Sequence, residues 1–110
     1  MVYTIEEIKE RIKPVAEKYN LPAVYLFGSY ARGEANEKSD IDLMIDRTGT
    51  AVHGLLEYAA VFDDMKEHLG KEIDMITTYA LEYSRDYSFK QNVESEKVSI
   101  YGTQPQYRIP

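Results

Sequence analysis

Apolar residues recur along this chain with two different spacings, and each switch between them marks the border of an element. Ile5, Ile8, Ile12, Val15 and Ala16 follow helical spacing behind Thr4-Ile5-Glu6-Glu7. That opening is a capping box, in which a threonine and a glutamate three residues on satisfy each other's backbone amides, so a first helix is predicted from about Ile5 to Lys18. Pro14 lacks an amide donor and is expected to kink it. Asn20-Leu21-Pro22 reads as a turn. Ala23 to Phe27 then reads as a strand ended by Gly28, and Ile41 to Asp46 alternates as a second strand. Between them, Tyr30 to Ala35 is expected to form a short helix.

Val52, Leu55, Leu56, Ala59, Val61, Phe62, Met65 and Leu69 outline a long amphipathic helix closed by Gly70. Lys71 to Thr77 is predicted as a third strand, Ala80 to about Asn92 as a helix, and Lys97 to Tyr101 as a short fourth strand. Gly102 to Pro110 reads as a frayed tail. This order predicts one mixed α/β domain over residues 1–110, with a small sheet of about four strands covered by helices on one face. The other face is then free for chemistry.

Composition narrows the functional classes. The chain has 110 residues, of which 44% are hydrophobic and 29% charged, enough for one core but not for a second substrate-binding domain. No window is apolar enough to span a bilayer, the N-terminus shows no signal-peptide pattern, and cysteine is absent. A cytoplasmic protein without thiol redox chemistry or thiolate metal sites is expected. The net charge of −6 argues against neutralising the phosphates of a nucleic acid directly.

Chemistry concentrates between Gly28 and Asp42. A Gly28-Ser29 turn is followed, after ten residues, by Asp40-Ile41-Asp42. On a strand, side chains two apart share a face, which is expected to set Asp40 beside Asp42 while Ile41, Leu43 and Ile45 face a core. Asp74, within Ile73-Asp74-Met75-Ile76, is a third carboxylate able to join them if the two strands are neighbours. At about 5 Å and an effective dielectric of about 20, each carboxylate pair repels by roughly 3 kcal/mol, so a cation is required. All-oxygen ligands point to Mg²⁺ or Mn²⁺. Gly28 permits close backbone approach, so free amides there and the Ser29 hydroxyl can receive a phosphate, with the Arg32 guanidinium one helical turn further on.

The pattern Gly28-Ser29, ten residues, Asp40-x-Asp42 resembles the signature of the nucleotidyltransferase superfamily that includes DNA polymerase β and kanamycin nucleotidyltransferase. Tyr30-Ala31-Arg32-Gly33 and Ser39-Asp40-Ile41-Asp42-Leu43 are similar to its minimal, single-domain branch in particular. The resemblance implies a nucleotidyltransferase fold in which Asp40 and Asp42 bind two Mg²⁺ ions. Asp74 would bind one of these ions and serve as general base, and Gly28 and Ser29 would hold the triphosphate. It further implies an antitoxin that transfers AMP from ATP to a tyrosine of a HEPN-domain ribonuclease toxin encoded alongside. Two alternatives stand beside this: an antitoxin that neutralises its partner by binding alone, and an aminoglycoside-modifying type of small-molecule nucleotidyltransferase.

Ten tyrosines are present, and Tyr79, Tyr83 and Tyr87 recur every four residues. As a stripe on one helix they are expected to pack in a core, with docking of the partner as the second reading. His53 and His68 have no metal-ligand spacing and read as surface or helix-packing residues.

Overall fold

The computed structural model describes residues 1–102. Their elements run α1 (Ile5–Lys18), β1 (Ala23–Phe27), α2 (Gly28–Arg32), β2 (Ile41–Asp46), α3 (Leu55–Leu69), β3 (Ile73–Thr77), α4 (Thr78–Glu82), α5 (Tyr87–Glu96) and β4 (Val98–Gly102). The four strands form one mixed sheet in the order β3-β2-β1-β4. β1 is antiparallel to both β2 and β4, whereas β2 and β3 run parallel, joined by α3 as the crossover.

α1 begins as its capping box requires: the Glu7 amide donates to Thr4 Oγ1 at 3.1 Å and the Thr4 amide to Glu7 Oε1 at 2.8 Å. The helix continues on both sides of Pro14. Ile8, Ile12 and Val15 of α1 and Val61, Met65 and Leu69 of α3 cover one face of the sheet, against Val24, Leu26, Ile41, Leu43, Ile45, Ile73 and Met75. Each such side chain, taken fully out of water, contributes about 1.5–3 kcal/mol. At the sheet edge, the Tyr58 hydroxyl on α3 donates to the Met75 carbonyl, giving that strand's backbone a partner.

Four details depart from the sequence expectation. The short helix starts at Gly28 and stops at Arg32, because Gly33 adopts a left-handed φ of 75° that closes it before Ala35. α3 starts at Leu55, with the Gly54 amide bonded to Glu57 Oε1 at 3.0 Å; Val52 is buried in the preceding loop, and Leu55 and Leu56 are exposed. The second face of the sheet is not bare, since Leu81 of α4 and Val93 of α5 pack on Phe27 and Met44 there.

The fourth departure is the tyrosine stripe. α4 ends at Glu82 and α5 restarts at Tyr87, where the Asp86 carboxylate accepts from the Phe89 amide at 3.0 Å. Tyr79, Tyr83 and Tyr87 therefore lie on two helices and the cap between them, 60%, 65% and 74% exposed, so they form no part of the core. The rings of Tyr79 and Tyr83 pack at 4.7 Å between centroids, their planes tilted by 45°. Gly102 closes β4; the remainder of the expected tail, 103–110, lies outside the described residues. Among the described residues no helix is long and apolar enough to cross a membrane.

Candidate active site

β1 and β2 bring the ends of the motif together. Phe27 at the end of β1 pairs with Asp42 at the second position of β2, so the chain turns into α2 directly over the Asp42 side chain. Gly28 takes φ +76° at that turn, and a Cβ there would overlap Asp42 Oδ2. Only glycine meets both demands.

On the other side of β2, the parallel register sets Asp42 against Asp74 of β3, one strand spacing or about 4.8 Å away. Both point to the sheet face opposite α1 and α3, as alternation with Ile41, Leu43, Ile73 and Met75 requires. Asp40 is one residue short of β2 and exposed, so the expected pair on one strand becomes a strand residue and a loop residue. A turn prepares that loop: Asn36 Oδ1 accepts from the Lys38 amide at 2.8 Å and Ser39 Oγ from the Asn36 amide at 2.9 Å.

The charges are felt at Asp42. Its carboxyl is pushed up to about 6, first by burial, then by the charge of Asp74 and a hydrogen bond with it, and further by the charges of Asp40 and Glu96. Burial and the Asp74 charge also raise the Tyr58 hydroxyl. Such a set is short of positive charge and offers only oxygen, which suits a hard divalent cation. Among the described residues no three histidine, cysteine, aspartate or glutamate side chains are placed, as they lie, to hold an ion. A small hard cation such as Mg²⁺ needs no such cage, since it typically takes one or two carboxylates together with substrate phosphates and water.

Beside Asp42 lies a cavity of about 370 Å³, lined by Gly28, Ser29, Arg32 and Asp42 on one side and by Phe89, Asn92 and Glu96 of α5 on the other. Asp40 instead lines a separate hollow with Lys38, Lys71 and Glu72. Arg32 pairs with Glu34 at 3.0 Å and with Glu96 at 3.1 Å. Glu96 was invisible in the sequence pattern, because it reaches Gly28 from 68 residues away, its Oε2 accepting the Gly28 amide at 2.6 Å. One signal was available: an acid in the last turn of a helix opposes the partial negative charge there. His53 and His68 are exposed and lie outside this group.

A mixed sheet that sets two carboxylates of adjacent strands beside a Gly-Ser turn is the framework of a nucleotide-transferring enzyme. The chain belongs to the family "Polymerase beta, Nucleotidyltransferase", whose profile matches residues 10–106, and it is an enzyme of that class. It is 38% identical over 101 residues to a Methanocaldococcus jannaschii protein provisionally named a protein adenylyltransferase, covering 88% of this chain and 98% of that one. It is 30% identical over 82 residues to the protein adenylyltransferase MntA of Thermococcus cleftensis, covering 71% of this chain and 81% of the relative. Its fold is shared with a solved structure described as a tri-AMPylated Shewanella oneidensis HEPN toxin in complex with MNT antitoxin: TM-score 0.63, 19% identity, 91% of this chain and 74% of that one.

Proposed function

We propose that this protein transfers AMP from ATP to a tyrosine hydroxyl of a cognate HEPN-domain ribonuclease toxin and so acts as its antitoxin. The observation that carries the reading is the direct pairing of Asp42 with Asp74 beneath the Gly28 turn. The names of the archaeal relatives and the composition of the Shewanella oneidensis complex support a protein acceptor of this kind.

Asp40 and Asp42 would hold two Mg²⁺ ions, one of them shared with Asp74. When bound, they supply positive charge against the triphosphate and the departing pyrophosphate. The Gly28 amide, the Ser29 hydroxyl and the Arg32 guanidinium hold phosphate oxygens. Asp74, exposed where Asp42 is partly buried, takes the proton of the acceptor hydroxyl as its oxygen attacks the α-phosphorus. A bond forms from the tyrosine oxygen to phosphorus, the bond to the bridging oxygen breaks, and pyrophosphate leaves with that electron pair. The acceptor comes from the partner, and the exposed Tyr79, Tyr83 and Tyr87 give that partner an aromatic surface to meet.

The test is incorporation of labelled AMP from ATP and Mg²⁺ into the protein encoded by the neighbouring gene, compared between the natural chain and Asp42→Ala. Label on the partner that disappears in the variant is the expected result; equal label in both refutes a catalytic role. Relief of the partner's toxicity by Asp42→Ala in cells would reduce the function to binding.

A further inference from the structure

Glu96 is a carboxylate held by groups that suit a phosphate. Its Oε2 accepts the Gly28 amide at 2.6 Å, and Arg32 Nη1 lies 3.1 Å from Oε1 and 3.3 Å from Oε2. The side chain is only 17% exposed. Backbone amides at a glycine turn and a guanidinium are general holders of anionic oxygens. The position carries two costs for a negative charge. It ends α5, where the helix carries partial negative charge, and it adds to the repulsion on Asp42. The contacts with Gly28 and Arg32 must offset both costs.

Resting on the nucleotidyltransferase reading above, we propose that Glu96 is a resident occupant of the triphosphate cradle, so that nucleotide binds only when this carboxylate gives up Gly28 and Arg32. One amide hydrogen cannot serve two anions at full strength, so Glu96 and a phosphate oxygen compete for it. The apparent affinity for nucleotide is then reduced by the fraction of molecules in which the cradle is open. The release has a local cost in the fold. The Lys97 amide bonds to the Val93 carbonyl at 2.9 Å, and Val98 begins β4 by pairing with Leu26. The backbone after Glu96 is thereby anchored, so release leaves the strand in place but costs α5 the side-chain contacts that tie its last turn to Gly28 and Arg32, and that turn opens more readily.

Calorimetric titration of the full chain with ATP and Mg²⁺ tests this in four proteins: the natural chain, Glu96→Gln, Glu96→Ala, and Glu94→Gln as a control for charge on the same helix. Both Glu96 variants are expected to bind about tenfold more tightly, the scale of one charge-assisted hydrogen bond released, while Glu94→Gln binds as the natural chain does. Hydrogen–deuterium exchange supplies the second reading: ATP bound to the natural chain speeds exchange at residues 93–97. A carboxylate that merely repels phosphate at a distance would leave those amides unchanged. Unchanged or weaker binding by both Glu96 variants, equal tightening by Glu94→Gln, or unchanged or slower exchange at the end of α5 each overturns the proposal and leaves the enzyme reading standing. ATP binding by none of the four proteins removes the nucleotide reading and the proposal together.

Discussion

The Asp42 carboxylate fills the space that any side chain at position 28 would need, so the glycine of the turn and the acid of the strand depend on each other. Gly28→Ala is expected to destabilise the fold twice over. A left-handed φ costs an alanine about 1–2 kcal/mol, and Asp42 must also move aside. Urea denaturation of Gly28→Ala, Asp42→Ala and the double variant should show coupling of about 0.5–3 kcal/mol, with the double variant losing less than the sum of the two. Strict additivity would mean that the two residues do not share that space.

Asp42 also predicts a pH dependence. Its folded-state pKa of about 6 lies above the ordinary 3.8, so between these values the folded protein binds the extra proton. Stability should therefore rise as pH falls from above 6 towards 4, for this group, and fall as the pH climbs back. Asp42→Asn removes the term. In metal-free buffer it should be the more stable protein at pH 7.5, by about 1 kcal/mol after allowing for solvent screening of a partly exposed group, and lose that advantage near pH 4. Melting curves across the range measure it, and a natural chain more stable than the variant at pH 7.5 would contradict it.

Divalent cation should reverse the order. Mg²⁺ added to the natural chain is expected to raise its melting temperature, because an ion that binds only the folded state stabilises it by mass action. With Asp42→Asn the rise should shrink or vanish, since one of the two paired carboxylates is gone.

Asp74→Asn separates holding from reacting. The variant keeps the shape of the pair, so ATP binding should stay within a few fold, while transfer of AMP falls by about 10²–10⁴, the range of a lost general base. Single-turnover measurements at saturating nucleotide distinguish the two. Loss of ATP affinity with an unchanged transfer rate would assign Asp74 to binding alone.

Tyr83→Ser should weaken the complex with the proposed toxin partner and leave the affinity for ATP as it was. An exposed tyrosine at the centre of an interface is often worth more than about 1 kcal/mol, or about fivefold in affinity. The dissociation constant of the complex, measured by titration with the purified partner, decides the matter.

Strands and long helices were readable because their signals are local. The ends of β1 and β2 and the start of α1 follow from alternation, from Gly28 and from the Thr4–Glu7 box, each within a few residues of what it specifies. The tyrosine stripe misled because a spacing of four mimics a helix, while the cap that breaks it, Asp86 reaching Phe89, is a signal of only one residue. Asp40 and Asp42 read as the pair on one strand, with Asp74 joining only if the strands were neighbours; β2 begins after Asp40, and the parallel pairing, which no local signal encodes, sets Asp42 and Asp74 face to face instead. Glu96 was not legible, since its role depends on a contact between distant parts of the chain, and no periodicity encodes that.

The order of the elements carries a consequence for biosynthesis. A ribosome delivers β1 and β2, with Gly28 and Asp42, well before it delivers the glutamate that caps them and the strand that pins α5 beside β1. Until then the Gly28 amide has no Glu96 carboxylate to bond, and the finished protein shields that amide with one of the last of its described residues to be translated.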